Sequence, residues 1–148
     1  MITDFFSSKF LSAIKALLCV ALYPGTKRIS CREIGSTLGV SARHLEAILQ
    51  QLVRAGILRG ERGPKGGYAL ARERRKTTLA DIFDAIYTAA ENEKNKSSDF
   101  DASLHRVLRP HANLIYSTLK KTTLEDLCNE SSDLSSTLSA PNRADFTI

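Results

Sequence analysis

The 148-residue sequence predicts a mainly α-helical fold that contains one small β-hairpin and ends in a long C-terminal helix. Most apolar residues recur at steps of three and four, which is the period of amphipathic helices. The exception lies between positions 57 and 70, where two short runs of strand-forming residues enclose four glycines and one proline. The composition, 43% hydrophobic and 25% charged, fits one globular domain of ordinary size.

A first helix is predicted from Phe10 to Leu22, and Pro24 with Gly25 closes it. Its apolar residues return at helical spacing, so they form a stripe along one side of the helix. We expect this whole stripe to lie in the core: Phe10, Leu11, Ile14, Leu17, Leu18, Ala21 and Leu22.

Two further helices are predicted to meet across a tight turn. Ser30 and Glu33 have capping-box spacing, which starts a helix over about residues 31–38. Ser41 can cap the next helix, which ends near residue 56 and buries Leu45, Ile48, Leu49 and Leu52. A helix-turn-helix needs a small residue where the two helices touch, a glycine four positions after it for the turn, and an apolar residue six positions after that glycine. These places are held by Gly35, Gly39 and Leu45.

The glycine-rich stretch predicts a hairpin, or wing, after the third helix. Ile57-Leu58-Arg59 and Tyr68-Ala69-Leu70 are its strands, and Arg62 and Lys65 lie near its tip. The competing interpretation is a nucleotide-phosphate loop. It is disfavoured because the GxGxxG and GxxxxGK[ST] patterns are both absent and the run ends in a strand instead of opening a helix.

The second half of the chain predicts two more helical segments. Thr78 and Asp81 form a second capping signal, before a helix with an apolar stripe of Leu79, Ile82, Phe83 and Ile86. Helical spacing resumes from Leu104 to Leu119, with a kink or interruption expected at Pro110. We therefore divide the chain into a winged helix-turn-helix domain (1–90), a polar linker (91–101), a dimerisation helix with a terminal helical turn (102–128) and a disordered tail (129–148).

Positive charge is concentrated in the predicted helix-turn-helix and wing. Residues 27–76 contain twelve Lys or Arg against four Asp or Glu, whereas acidic residues outnumber basic ones in the remainder. Such a footprint is typical of a module that binds the DNA phosphate backbone. A basic surface without a nucleic-acid partner, in a winged helix used for protein contacts, is the alternative.

We expect double-stranded DNA to contact the third helix and the wing. Arg43 and Gln50 are the preferred base readers, because Arg pairs with guanine and Gln with adenine at two points each. Glu46 is able to accept a hydrogen bond from cytosine or to hold Arg43 in place. The full set of candidate DNA contacts is Ser41, Arg43, His44, Glu46, Ala47, Gln50, Arg54, Arg59, Arg62 and Lys65.

Three strings resemble the Rrf2 family of bacterial regulators. They run from Ser41 to Leu49, from Leu52 to Leu58 and from Arg62 to Arg72, and the similarity continues at residues 79–86 and 123–127. The resemblance implies a winged helix followed by a long dimerisation helix, and promoter binding that usually represses transcription. It also implies that Arg43 and Glu46 face the major groove and that Arg62 enters the minor groove.

No metal, cofactor or enzymatic activity is expected. Family members that hold an iron-sulfur cluster carry three cysteines before the dimerisation helix, whereas residues 91–103 contain none, although His105 lies where one such regulator has a ligand histidine. Cys31, beside Arg32 at a helix start, is a candidate redox sensor with a lowered pKa, or simply a small half-buried residue. The effector, a small molecule or an oxidant, is left open.

A homodimer is expected because the last long helix has an apolar stripe that the preceding domain does not need. Its predicted interface residues are Leu104, Leu108, Ile115 and Leu119. The longest apolar stretch, residues 16–23, is too short to span a membrane, and no secretory start precedes it. We therefore expect a cytoplasmic protein that does not enter membranes.

Overall fold

The computed structural model describes residues 5–24, 28–88 and 99–131. The predicted fold class is confirmed: the described residues are mostly helical and contain a two-stranded antiparallel sheet. The elements, in chain order, are α1 (Ser8–Leu22), α2 (Cys31–Leu38), α3 (Ala42–Arg54), β1 (Leu58–Glu61), β2 (Gly67–Leu70), a 3₁₀ turn (Arg74–Lys76), α4 (Leu79–Tyr87), α5 (Asp99–Leu119) and α6 (Leu124–Glu130).

Local capping chemistry sets the starts of α2 and α4, as predicted. The Glu33 amide donates to Ser30 Oγ at 3.2 Å, and the Ser30 amide donates to Glu33 Oε2 at 2.8 Å. The same reciprocal pair occurs at Thr78 and Asp81. Each box satisfies amides that the first turn of a helix leaves without a partner.

The core forms where α1, α3 and α4 pack together, and α1 also contacts α2 and α6. The predicted α1 stripe is only partly buried: Phe10 and Leu17 are buried, and Ile14, Leu18, Ala21 and Leu22 are half-buried against the core, whereas Leu11 is half-buried elsewhere on the helix. The most buried α1 residues are Phe10, Ala13, Ala16, Leu17, Cys19 and Val20. Of the leucines of α1, only Leu17 is on this fully buried face, which also carries Ala13 and Ala16, so small residues mark the packed side better than leucines do.

Helix α5 is continuous over 21 residues and has Pro110 inside it. The interruption expected at Pro110 is therefore absent: the proline leaves only the Arg106 carbonyl without its usual amide donor. The described part of the helix already includes Asp99, inside the predicted linker, so the helical segment is longer at this end than predicted. Residues 91–98 of that linker lie outside the described residues.

The last turn of α5 packs against α4 of the same chain. The Tyr116 hydroxyl donates to Asp84 Oδ2 at 2.5 Å, and Leu119 is only 6% exposed. Leu119, predicted to lie in a dimer interface, is thus buried within its own chain, because the helix returns to the domain at this end. Ile115 is half-buried, and Leu104 and Leu108 are exposed.

Helix α6 closes the domain through contacts that the sequence did not reveal. Thr123 and Asp126 form a third capping box, and the two capping threonines, Thr78 and Thr123, pair as an isolated antiparallel bridge. In that bridge the Leu79 amide donates to the Thr122 carbonyl at 2.9 Å. Helix α6 extends to Glu130, two residues into the predicted tail, and residues 132–148 lie outside the described residues. Among the helices described here, none has the length and apolarity to cross a membrane.

Candidate nucleic-acid interface

The turn between α2 and α3 has the predicted geometry. Gly35 is buried, and a Cβ built on it would lie 2.7 Å from the Val40 carbonyl oxygen and 3.6 Å from Leu45 Cδ1. Gly39 ends α2 with φ = 66°, a conformation in which most L-residues are strained. Leu45 is fully buried below the turn. These three residues fix the angle at which α3 leaves α2.

The outer face of α3 presents polar side chains to solvent. Arg43, His44, Glu46, Ala47, Gln50 and Arg54 are exposed, whereas Leu45, Ile48, Leu49 and Leu52 are buried. Ser41 is also exposed, and its Oγ accepts from the His44 amide at 3.3 Å, so this hydroxyl caps the helix. The residues predicted to contact DNA from α3 therefore lie on its solvent side.

The wing is a hairpin that is tied to the loop before α2. Leu58 pairs with Leu70 and Glu61 with Gly67, so Gly60 faces Tyr68. The Tyr68 amide donates to the Ile29 carbonyl at 2.8 Å, and the Ile29 amide donates to the Tyr68 carbonyl at 3.1 Å. Ile29 thus pairs with β2 as an isolated antiparallel bridge on the side of β2 away from β1. Arg28 strengthens this tie through an ion pair with Glu61.

Tyr68 also connects the wing to α3. A Cβ on Gly60 would lie 3.3 Å from Tyr68 Cε1, so the tyrosine ring lies beside a position without a side chain. The Gln50 side-chain amide donates to the Tyr68 hydroxyl at 3.4 Å. A cleft of about 360 Å³ separates the two elements, and Gln50, Val53, Arg62 and Tyr68 are among its lining residues. Sequence reasoning missed this contact because Gln50 and Tyr68 lie on different elements.

The cations of the basic segment fall into two groups. Those after the wing are paired with carboxylates: Arg72 with Asp81, Arg74 with Glu125, and both Arg75 and Lys76 with Glu73. Those of α3 and the wing are exposed and form no ion pair with any other described residue: Arg43, Arg54, Arg59, Arg62 and Lys65. Arg32 on α2 is likewise exposed and forms no ion pair with a described residue, so its charge and those of the second group are available to a polyanion.

Cys31 is half-buried behind this surface, and its thiol donates to the Ala42 carbonyl at 3.3 Å. Burial, with a smaller contribution from the Glu46 carboxylate, raises the pKa of the Cys31 thiol. The expected lowering of this pKa is therefore wrong, because burial of the thiol penalises its charged form and the Glu46 carboxylate on α3 adds to that effect. A thiol with a raised pKa is less nucleophilic at neutral pH. A sensor role for Cys31 stays a prediction.

The model of the Rrf2 family, described as "Iron-dependent Transcriptional regulator", matches residues 6–130. The chain belongs to the Rrf2 family. The putative HTH-type transcriptional regulator BadM of Rhodopseudomonas palustris is 31% identical over 121 residues, which are 79% of this chain and 76% of BadM.

Two solved structures of the Rrf2 fold resemble the described architecture. The IscR of T. potens is 27% identical and has a TM-score of 0.65, with 85% of this chain and 87% of IscR covered. CymR, described as the global cysteine regulator of B. subtilis, is 25% identical and has a TM-score of 0.66, with 84% of this chain and 96% of CymR covered. Membership of the Rrf2 family supports the interpretation of this chain as a DNA-binding regulator of transcription.

The iron named in the family description does not fit the donor set of this chain. Cys19 and Cys128 are buried, on α1 and α6, and burial raises the pKa of the Cys19 thiol to about 11 and also raises that of Cys128. A metal or cluster needs deprotonated thiolates that converge on one point. In the described parts of the chain, no group of three or more His, Cys, Asp or Glu side chains is arranged to hold a metal ion.

Anaerobically purified protein is accordingly expected to be colourless and to bind DNA equally well with and without an iron chelator. The measurement is the visible absorption spectrum together with iron and sulfide analysis and a duplex-binding titration in each condition. Stoichiometric iron and sulfide with cluster absorption would overturn this expectation and direct attention to His105 and a partner subunit.

Proposed function

We propose that this Rrf2 protein is a cytoplasmic, non-enzymatic repressor that binds a palindromic operator as a homodimer. The observation that supports it best is the group of five exposed cations on α3 and the wing without an ion-pair partner among the described residues. Cations available on a helix and a hairpin that flank one cleft suit simultaneous contact with a major groove and its adjacent phosphates.

Each element is assigned a separate task. The exposed face of α3 enters the major groove, where Arg43 reads guanine and Gln50, two turns farther along, reads adenine. Ala47 meets a thymine methyl group, and His44 and Arg54 contact nearby polar edges or phosphates. The Tyr68 hydroxyl accepts one Gln50 hydrogen bond at 3.4 Å and so orients this amide before DNA arrives. The wing places Arg62 in a narrow minor groove, with Arg59 and Lys65 on phosphates.

The homodimer is formed through α5. Leu104 and Leu108 are exposed on this helix, and Ile115 continues the same apolar side. A two-fold axis between two such helices presents two recognition helices and two wings to one duplex. The operator then has a roughly palindromic sequence with half-sites about one or two helical turns apart.

Arg43→Ala is expected to reduce affinity for the preferred operator about 10- to 100-fold with little change on random duplex, because Arg43 reads a base edge. The matched control is Lys65→Ala, which removes a phosphate contact and weakens both duplexes about equally. The measurement is a binding titration of each variant on both duplexes at several salt concentrations.

The salt series also decides between DNA binding and a protein-contact role. A wild-type affinity that falls steeply and linearly on a double-logarithmic plot against salt indicates phosphate neutralisation. Intact operator preference in the Arg43→Ala variant would show that Arg43 is not the reader. A wild-type protein without measurable duplex binding at low salt would refute the proposed function itself.

A further inference from the structure

The first part of α5 carries large apolar side chains that nothing described in the chain covers. Phe100 is 78% exposed, Leu104 47%, Val107 66% and Leu108 51%. Their spacing of four, three and one residues places them along one side of the helix, and Ile115 lies farther along that side. Exposed apolar side chains in such a continuous row are typical of a protein interface.

An apolar pocket lies beside the other end of the same helix. It measures about 380 Å³ and is lined by Phe5 and Phe6, which precede α1, and by residues of α4 and α5. Aromatic rings form most of its wall: Phe83 and Tyr87 stack with their centroids 4.2 Å apart, and Phe83 meets Tyr116 edge-on at 6.4 Å. Phe5, at 66% exposure, also lines it. The pocket suits another aromatic ring, since edge-to-face and offset pairs form at these separations.

We propose that Phe100 of the partner subunit fills this pocket in the homodimer. A two-fold axis perpendicular to α5 makes the paired helices antiparallel. The apolar row from Phe100 to Ile115 is centred between Val107 and Leu108, so Val107 faces Leu108 of the partner subunit. Phe100 and Ile115 lie equally far from this centre, about 11 Å at the 1.5 Å helical rise. Phe100 of the partner subunit therefore arrives at Ile115, which is part of the pocket wall.

Charge favours this antiparallel arrangement. Asp99 lies in the first turn of α5, and Lys120 and Lys121 follow its last turn. Antiparallel pairing brings the acidic end of one helix beside the basic end of the other and opposes their dipoles, whereas parallel pairing would place like charges together. Lys120 Nζ is 4.9 Å from the centroid of Tyr116, a ring of the pocket wall, so this cation already lies at the pocket.

The inference rests on the proposed homodimer and adds its register and its anchoring side chain. It is testable by fluorescence, because the sequence contains no tryptophan and one introduced at position 100 is then the sole indole reporter. In the F100W variant, we expect the emission to shift to shorter wavelength as the protein concentration rises, with the midpoint at the dissociation constant measured by sedimentation. In Phe100→Ala, we expect that dissociation constant to rise tenfold or more, because the symmetry removes two anchoring rings.

Arg106→Ala is the control, because Arg106 is exposed on the opposite side of α5 and should leave dimerisation unchanged. Circular dichroism establishes that each variant is folded. A wild-type dimer that Phe100→Ala leaves intact, with solvent-exposed emission from F100W at dimer concentrations, would overturn the register while the homodimer stands. That result would leave the pocket to a small apolar ligand. A wild-type monomer at micromolar concentration would refute both the homodimer and the inference.

Discussion

Gly67→Ala is expected to detach the wing from the loop before α2 and to destabilise the protein by about 2 to 4 kcal/mol. Gly67 has φ = 148°, and a Cβ built there would lie 2.7 Å from the Ile29 carbonyl oxygen and 2.8 Å from its carbon. These are backbone atoms of a residue that is only 2% exposed, so they cannot move aside without cost. Both hydrogen bonds between Ile29 and Tyr68 would be strained together.

Gly63→Ala is the control that distinguishes the steric clash at Gly67 from the strain of a positive φ. Gly63 also has a positive φ, 113°, but a Cβ there meets nothing within 4 Å. We expect it to cost about 1 to 2 kcal/mol, from the conformation alone. Urea unfolding gives the stabilities, and operator titration shows whether the displaced wing weakens DNA binding. Equal losses in the two variants would mean that the contact with Ile29 does not hold the wing.

Gly35→Val is expected to destabilise the helix-turn-helix by about 3 kcal/mol and to weaken operator binding. The added Cβ would meet the Val40 carbonyl oxygen at 2.7 Å, and branching would add contacts with Leu45. The clash is removed only if α3 moves away from α2. The exposed face of α3, which is proposed to contact DNA, would be displaced with it. Gly35→Ala should show a smaller loss, because a single methyl group demands less displacement.

Ser36→Val is the matched control for the low helix propensity of a β-branched residue, since Ser36 is exposed on the same helix. It should change the free energy of unfolding by less than about 1 kcal/mol. Thermal or urea unfolding of the three variants measures the difference. A Gly35→Val protein as stable as the Ser36→Val protein would show that α2 and α3 do not require a glycine-sized contact.

Features encoded within a few residues were predictable from sequence. Both predicted capping boxes, at Ser30 and Thr78, occur in the structure, as does the left-handed turn at Gly39, because each depends on atoms three or four residues apart. The hairpin was predictable for the same reason, since glycines mark its turn and apolar residues its strands.

Features that depend on two distant segments were not predictable. The pKa of Cys31 rises partly because Glu46 approaches from the next helix, and Gln50 meets Tyr68 across the cleft. Likewise, the buried side of α1 depends on which helices pack against it, and the spacing of its seven large or apolar stripe residues does not specify those neighbours. The charge count from the sequence also included Arg72, Arg74, Arg75 and Lys76, although each of these cations is paired with Asp81, Glu125 or Glu73.

The bridge between Thr78 and Thr123 fixes the far end of α5 to the DNA-binding domain. The Leu124 amide donates to the Thr77 carbonyl at 2.7 Å, and Thr77 is fully buried, so the segment that leaves α5 cannot pivot freely. In the proposed homodimer, α5 is then held at both ends, at Leu119 by its own domain and at Phe100 by the pocket of the partner subunit. Its tilt relative to its own domain sets the separation of the two recognition helices. If the proposed homodimer binds two half-sites, we expect the segment from Lys120 to Thr122, which joins α5 to this bridge, to influence the half-site spacing that it accepts.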